Sequence, residues 1–121
     1  MSERLADVPL FDDPQIALLR EALDEEDLAA MMAELPSASG AAIEAIGVAA
    51  RSGNLADVQR AAHVLKGVAS SFGAARLAGL AREIEQELRG IHEVPESLAR
   101  LAEVAEQTWA HLPAVMGRAL A

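Results

Sequence analysis

Four residues in the segment 63–74 have types and spacing that suit chemistry on one face of a helix. They are His63, Lys66, Gly67 and Ser70, at i, i+3, i+4 and i+7, and at about 100° per residue these positions form one stripe. A neutral imidazole has a free nitrogen lone pair near neutral pH and can act as a nucleophile. An ammonium one turn away can pair with an anion on the ring, and glycine leaves room for a bulky reactant. The stripe therefore suits an imidazole that carries a phosphoryl group.

The same segment has an apolar stripe on its opposite side, which consists of Val58, Ala61, Ala62, Leu65, Ala69 and Phe72. This stripe predicts the core-facing side of the helix and places His63 in solvent. Glycine inside a helix costs about 1 kcal/mol relative to alanine, so access to the ring is a reason for Gly67. Arg60, one turn before His63, is either an ordinary solvated charge or part of a local positive patch with Lys66.

The pattern His63-x-Leu65-Lys66-Gly67, followed by Gly73-Ala74, Leu77, Leu80, Ile84 and Glu85, resembles the signature of histidine-containing phosphotransfer (HPt) domains. By position, the resemblance implies that His63 is the phosphoacceptor, Lys66 the cation beside the phosphate and Gly67 the clearance position. Gly73 would break the chain before the next helix. Arg60, Ser70 and Glu85 are expected to contribute to partner binding. Many relatives have glutamine or another polar residue where this chain has Glu85, and a carboxylate near a phosphohistidine would repel it.

The function implied by this resemblance is phosphoryl transfer between receiver-domain aspartates in a two-component phosphorelay, through phospho-His63. Expected partners are response-regulator receiver domains, including those of hybrid histidine kinases, whose carboxylates hold Mg²⁺; the chain itself would need no cofactor. No glycine-rich nucleotide motif is present, so the chain is not expected to phosphorylate itself from ATP. The alternative is a helical interaction module in which His63 is never phosphorylated.

Composition excludes several other classes of function. The 121-residue chain has a net charge of -9, which opposes binding to nucleic acid or anionic lipid. It contains no cysteine, and its three histidines show no His-x-x-x-His or Glu-x-x-His spacing, which argues against a metal site. His92 is expected in a loop and His111 near the end of the last helix. The N-terminus lacks the apolar run of a signal peptide and no stretch is long enough to span a membrane, so we expect a cytoplasmic location. We also expect a monomer.

The helix-capping and helix-breaking residues of the chain predict an all-α fold in a single domain over residues 1–121. Caps, prolines and glycines divide the chain into five predicted helices. The first begins at Asp13-Pro14 and ends near Leu23, and the others cover 24–51, 54–73, 74–89 and 95–113. Pro36 must kink or interrupt the second helix near Leu35, and Pro113 bends or ends the last. Short connections favour an antiparallel four-helix bundle with an additional short N-terminal helix. Residues 1–10 are either flexible or docked across the bundle.

Overall fold

The computed structural model describes residues 4–117, and within that range every regular element is helical. The prediction of an all-α fold is therefore confirmed. In chain order the elements are α1 (Arg4–Asp7), α2 (Asp13–Ala22), α3 (Glu25–Met32), α4 (Leu35–Arg51), α5 (Leu55–Ser71), α6 (Ala75–Glu87), a 3-10 turn (Ile91–Glu93), α7 (Val94–Ala110) and α8 (Leu112–Met116). No helix in the described part of the chain is both long and apolar enough to cross a bilayer.

The long helices pack side by side, because each has one apolar face that it cannot bury alone. Helix α4 contacts α5 and α7, and α6 contacts the same two helices from the other side. The largest fully buried side chains line the space between them and are Met32, Leu35, Ile46, Leu65, Leu77, Leu80, Ile84 and Leu101. The core thus fixes the rotation of each long helix about its own axis.

Helix α5 begins and ends where its local sequence signals predict. The side-chain oxygen of Asn54 accepts hydrogen bonds from the main-chain N–H groups of Ala56 (2.9 Å) and Asp57 (3.3 Å), which satisfies two otherwise unpaired donors. After α5, Gly73 takes a φ of 71°, a left-handed conformation that costs glycine little. Four residues of the predicted core stripe, Val58, Ala62, Leu65 and Ala69, have no exposed surface. The other face of α5 is therefore the one left to solvent.

Pro36 interrupts the helix predicted over 24–51. The chain forms α3 and α4 with a turn at residues 33 and 34 between them, and Pro36 lies in the first turn of α4. Proline is tolerated there because the first-turn N–H groups have no partner within the helix. Pro113 acts in the same way in α8, so α7 ends at Ala110. His92, expected in a loop, lies in the 3-10 turn.

The segment before α2 docks on α6. An added Cβ on Gly79 would lie 2.8 Å from Leu5 Cδ2, so the leucine occupies the space that this glycine leaves. The guanidinium Nε of Arg76 donates to the carbonyl oxygen of Val8 at 2.8 Å, and Phe11 is buried. Of the two alternatives for residues 1–10, docking is what the structure shows from residue 5 onward. Residues 1–3 lie outside the described range.

Helix α2 is attached to the end of α5. The Asp12 N–H donates to the carbonyl oxygen of Gly73 at 2.8 Å, and Gln15 Nε2 donates to the carbonyl oxygen of Ser70 at 2.7 Å. These two bonds place α2 beside the C-terminal end of the α5 surface that carries His63.

Candidate functional site

The imidazole of His63 stands on the exposed face of α5. Its side chain is 65% exposed, and Gly67 and Ser70 on the same face are exposed as well. A Cβ added to Gly67 would meet nothing within 4 Å. The surface beside the ring is therefore open, as the spacing of these residues predicted.

Glu85 on α6 contacts two side chains of α5, those of His63 and Lys66. Its Oε2 lies 2.5 Å from His63 Nδ1, and its Oε1 accepts a hydrogen bond from Lys66 Nζ at 2.6 Å. The carboxylate side chain is 21% exposed and that of Lys66 is 28% exposed. One carboxylate on a neighbouring helix therefore joins the histidine and the lysine.

The contacts of Glu85 determine which nitrogen of His63 carries the proton. The hydrogen bond from Lys66, aided by one from His63 and opposed by partial desolvation, lowers the pKa of the Glu85 carboxyl group below its usual range. The group is therefore ionised at neutral pH, and an ionised carboxylate accepts hydrogen bonds only. Nδ1 of a neutral His63 ring must then carry the hydrogen, which leaves the lone pair on Nε2.

For Arg60 the sequence left two interpretations open, an ordinary solvated charge or part of a local positive patch with Lys66, and in the structure both cations are paired with acids. Arg60 forms an ion pair with Asp57, one turn before it on α5, and Lys66 pairs with Glu85. The reason is that each cation has an acid within reach, either at i, i+3 on the same helix or on the neighbouring one. Both positive charges are thereby offset.

Ser70 and Arg60, the remaining residues proposed from the sequence, lie on the same face of α5 as His63. Neither contacts the His63 ring in the described part of the chain. Ser70 lies near the end of α5, where its carbonyl oxygen accepts the bond from Gln15. Arg60 extends into solvent with its side chain 72% exposed. The sequence reasoning missed Ser71, whose hydroxyl donates a hydrogen bond to the carbonyl oxygen of Gly67 at 2.9 Å.

The other two histidines belong to different parts of the fold. His92 lies in the 3-10 turn, and His111 separates α7 from α8, with its ring stacked on Phe11 at a centroid distance of 5.9 Å. Among residues 4–117, no three histidine, aspartate or glutamate side chains are grouped so that they could hold a metal ion. The exposed ring of His63, fixed by Glu85, is thus the histidine best placed to react.

The contact between His63 and Glu85 was not predicted as such. Glu85 was expected to bind a partner and to repel a phosphorylated ring, but in the structure it accepts a hydrogen bond from the ring. One signal was available in the sequence, because Glu85 follows the buried Ile84 directly. A residue at that position lies at the edge of the core stripe of α6, where a side chain can reach the neighbouring helix.

Comparison with known proteins identifies the family of the chain. The family model of the Hpt domain matches residues 31–111. Searches of curated proteins and of solved structures gave no match. Hpt domains serve histidine phosphotransfer in phosphorelays and interact with receiver domains. The matched region begins within α3, ends immediately before α8 and contains His63, Lys66 and Glu85, and the chain is a member of the Hpt domain family.

Proposed function

We propose that this chain passes a phosphoryl group from the aspartyl phosphate of one receiver domain to the aspartate of another, with His63 as the intermediate carrier. The observation that supports this role best is the orientation of an exposed imidazole by Glu85, which leaves the Nε2 lone pair directed away from the carboxylate. A nucleophile held in one tautomer needs no rearrangement before attack.

In the first half of the reaction, Nε2 of His63 attacks the phosphorus atom of the aspartyl phosphate. A bond forms between phosphorus and Nε2, the bond between phosphorus and the aspartyl oxygen breaks, and its electron pair returns to the aspartate carboxylate. The second half is the reverse reaction on another receiver. The receiver's own carboxylates and Mg²⁺ would supply the acidic half of the site, so this chain contributes the nucleophile and its surroundings.

Two neighbours of His63 support the transfer in different ways. Lys66 has a long side chain whose ammonium, held by Glu85 in the resting protein, can turn toward a phosphoryl group one helical turn away. Gly67 leaves open space next to the ring, which allows the receiver surface to bring its aspartate within reach of Nε2.

The test is phosphoryl transfer from a phosphorylated receiver domain to the purified chain. We expect acid-labile, alkali-stable label on the wild-type protein, no label on His63→Gln, and normal labelling of the matched controls His92→Gln and His111→Gln. ATP alone should give no label. Label retained by His63→Gln would overturn the assignment of the phosphoacceptor. Binding of receivers without any label on the wild-type chain would favour the alternative, a helical interaction module.

A further inference from the structure

We propose that the groove between α6 and α7 is a second docking site, which binds a segment of a partner protein that presents an apolar side chain between lysine or arginine residues. The groove has a volume of about 210 Å³. It lies apart from the residues that carry the proposed phosphoryl transfer, so this inference concerns a further interaction of the chain.

The floor of the groove is apolar. Leu80, Ile84 and Leu88 line it at intervals of four residues, so they form one line along α6 and its C-terminal end. Leu80 and Ile84 are each 1% exposed, and Leu88 is half-buried. A side chain that enters the groove therefore meets hydrocarbon and exchanges its contact with water for contact with the core.

The rim of the groove carries more negative than positive charge. Glu87 at the end of α6 and Glu96 in the first turn of α7 are exposed. The main-chain N–H of Arg89, which donates to Glu93, lowers the pKa of that carboxyl group and keeps it ionised at neutral pH. Among the described residues, Arg100 is the cation that lines the groove, and it reaches Glu96 Oε1 only at 3.5 Å. Glu87 and Glu93 form no ion pair within residues 4–117.

Floor and rim together determine the chemistry of the ligand. The apolar floor favours an aliphatic side chain, and the acidic rim favours positive charges on either side of it. Sites for small molecules usually have volumes of about 300–1,000 Å³, whereas this groove, at about 210 Å³, is large enough for a protein side chain. An apolar anchor with lysine or arginine beside it meets both requirements.

Other occupants fit the groove less well. In the part of the chain that the structure describes, no group of three acidic or histidine side chains could hold a metal ion. Nucleic acids and anionic lipids would be repelled by the acidic rim and by the net charge of -9. A second copy of this chain would carry the same net charge and would be repelled as well.

The groove opens on the side of α6 that faces away from His63. Glu83 and Glu87 line the groove, and Glu85, which contacts the His63 ring, lies midway between them in the sequence. At about 100° per residue, Glu85 is about 200° from each of them around the helix axis. A receiver domain at α5 and a basic segment in the groove would thus approach α6 from different sides. The chain could be held by one partner while it exchanges phosphoryl groups with another.

The first test measures binding of synthetic peptides to the full chain. The probe is a short fluorescent peptide with a central leucine flanked by lysines, and its affinity is measured by fluorescence anisotropy at low salt. One matched peptide has serine in place of the leucine, and another has glutamates in place of the lysines. We expect both matched peptides to bind about tenfold more weakly or worse, because each lacks one of the two recognised features.

The second test locates the binding site with charge-reversal variants. Glu87→Lys combined with Glu96→Lys should weaken binding of the leucine peptide by about tenfold. Glu44→Lys combined with Glu106→Lys is the matched control, since it makes the same change in net charge at exposed positions outside the groove. The control should bind as the wild type does, and far-UV circular dichroism checks that both variants are folded.

A third measurement needs no variant. The ¹H–¹⁵N spectrum of the wild-type chain should show the largest shifts at Leu88, Glu93 and Ser97 when the leucine peptide is added, with little change around His63. Shifts centred elsewhere, equal binding of the serine peptide, or equal losses in the two charge-reversal variants would overturn the docking site. Displacement of the peptide by an equal concentration of spermidine would assign the groove to small polycations and overturn the proposal as well.

The outcomes are independent of the proposed function, because the binding tests use the unphosphorylated chain. A dimer seen by sedimentation, and lost in the Glu87→Lys, Glu96→Lys variant, would assign the groove to a second copy and overturn the inference. A saturating concentration of the leucine peptide should leave phosphoryl transfer from a receiver domain to His63 unchanged. Competition between peptide and receiver would contradict the separation of the two sites, whereas a failure of His63 to accept label would refute only the proposed function.

Discussion

Lys66 Nζ donates a hydrogen bond to Glu85 Oε1 at 2.6 Å across the boundary between α5 and α6. The cation one turn after His63 therefore has a partner before any phosphoryl group arrives. A phosphoryl group on His63 has to share that ammonium with the carboxylate of Glu85. Lys66 can therefore stabilise the phosphorylated protein only by the difference between its interactions there and its interaction with Glu85 in the unphosphorylated protein.

Replacement of Lys66 by alanine should slow phosphoryl transfer without abolishing it. Charge pairs near a surface contribute about 1 kcal/mol or less, which corresponds to a decrease in transfer rate of about fivefold or less. Rates measured at low salt with saturating receiver would show this decrease, and binding of the unphosphorylated chain should weaken less. An unchanged rate would mean that Lys66 serves only to hold Glu85.

Gly67 should affect access to the ring and not the stability of the fold. Because a Cβ there meets nothing within 4 Å, Gly67→Ala should raise the free energy of unfolding by up to about 1 kcal/mol. Gly67→Gln should slow transfer sharply, because its side chain extends over the space beside His63. Gly47→Gln is the matched control, since Gly47 is also helical with an open Cβ position. Equal transfer rates in the two glutamine variants would contradict the steric role.

Gly73 should be more sensitive to alanine than Gly53, although both have a left-handed backbone. Their φ values are 71° and 75°, so each alanine variant should lose about 1–2 kcal/mol from backbone strain. At Gly73 the added Cβ would also lie 3.2 Å from Ile16 Cδ1, whereas at Gly53 it would meet nothing. Denaturant unfolding should therefore show a larger loss for Gly73→Ala. Equal losses of stability in the two variants would mean that α2 shifts to accommodate the added Cβ without a measurable loss of stability.

Glu93 should stabilise the fold at neutral pH and lose that effect in acid. Its Oε1 accepts hydrogen bonds from the main-chain N–H groups of Arg89 (2.9 Å) and Gly90 (3.1 Å). The bond from Arg89, opposed by desolvation and aided by Gly90, lowers the pKa of the Glu93 carboxyl group. A lowered folded-state pKa means that the stabilisation is present above the unfolded-state value and disappears as pH falls through the folded-state value.

The corresponding measurement is thermal unfolding of wild type and Glu93→Gln as a function of pH. The variant should melt at a lower temperature near pH 7, and the two curves should converge below about pH 4. Glu103→Gln, at an exposed position on α7, should differ little from wild type throughout. A difference for Glu93→Gln that persists into strong acid would show that its effect is not due to ionisation.

The sequence predicted α5 well because the signals that define it are local. Asn54 caps the helix through its own side chain, and Gly73 ends the helix through its own backbone conformation. Pro36 was harder to interpret, since proline either bends a helix or begins a new one. The choice depends on whether the chain before it packs elsewhere, as α3 does against α2 and α8.

Sequence periodicity could not predict which residues of two different helices are in contact. His63 and Glu85 are 22 positions apart, and their contact depends on how α5 and α6 are rotated against each other by the core between them. The hydrogen bond from Trp109 Nε1 to Ser39 Oγ at 2.9 Å, which links α7 to α4, is of the same kind. Ser39 is fully buried, yet nothing in its local sequence distinguishes it from a serine on the surface.

The pairing of Arg60 with Asp57 and of Lys66 with Glu85 bears on the speed at which a partner arrives. Cations that are already offset by their own acids exert little attraction beyond a Debye length of about 8 Å at physiological salt. The rest of the chain, with its net charge of -9, would then repel from a distance any receiver whose own net charge is negative. Encounter between the two proteins should accordingly become faster, not slower, as ionic strength rises, in contrast to the electrostatically steered association of oppositely charged proteins.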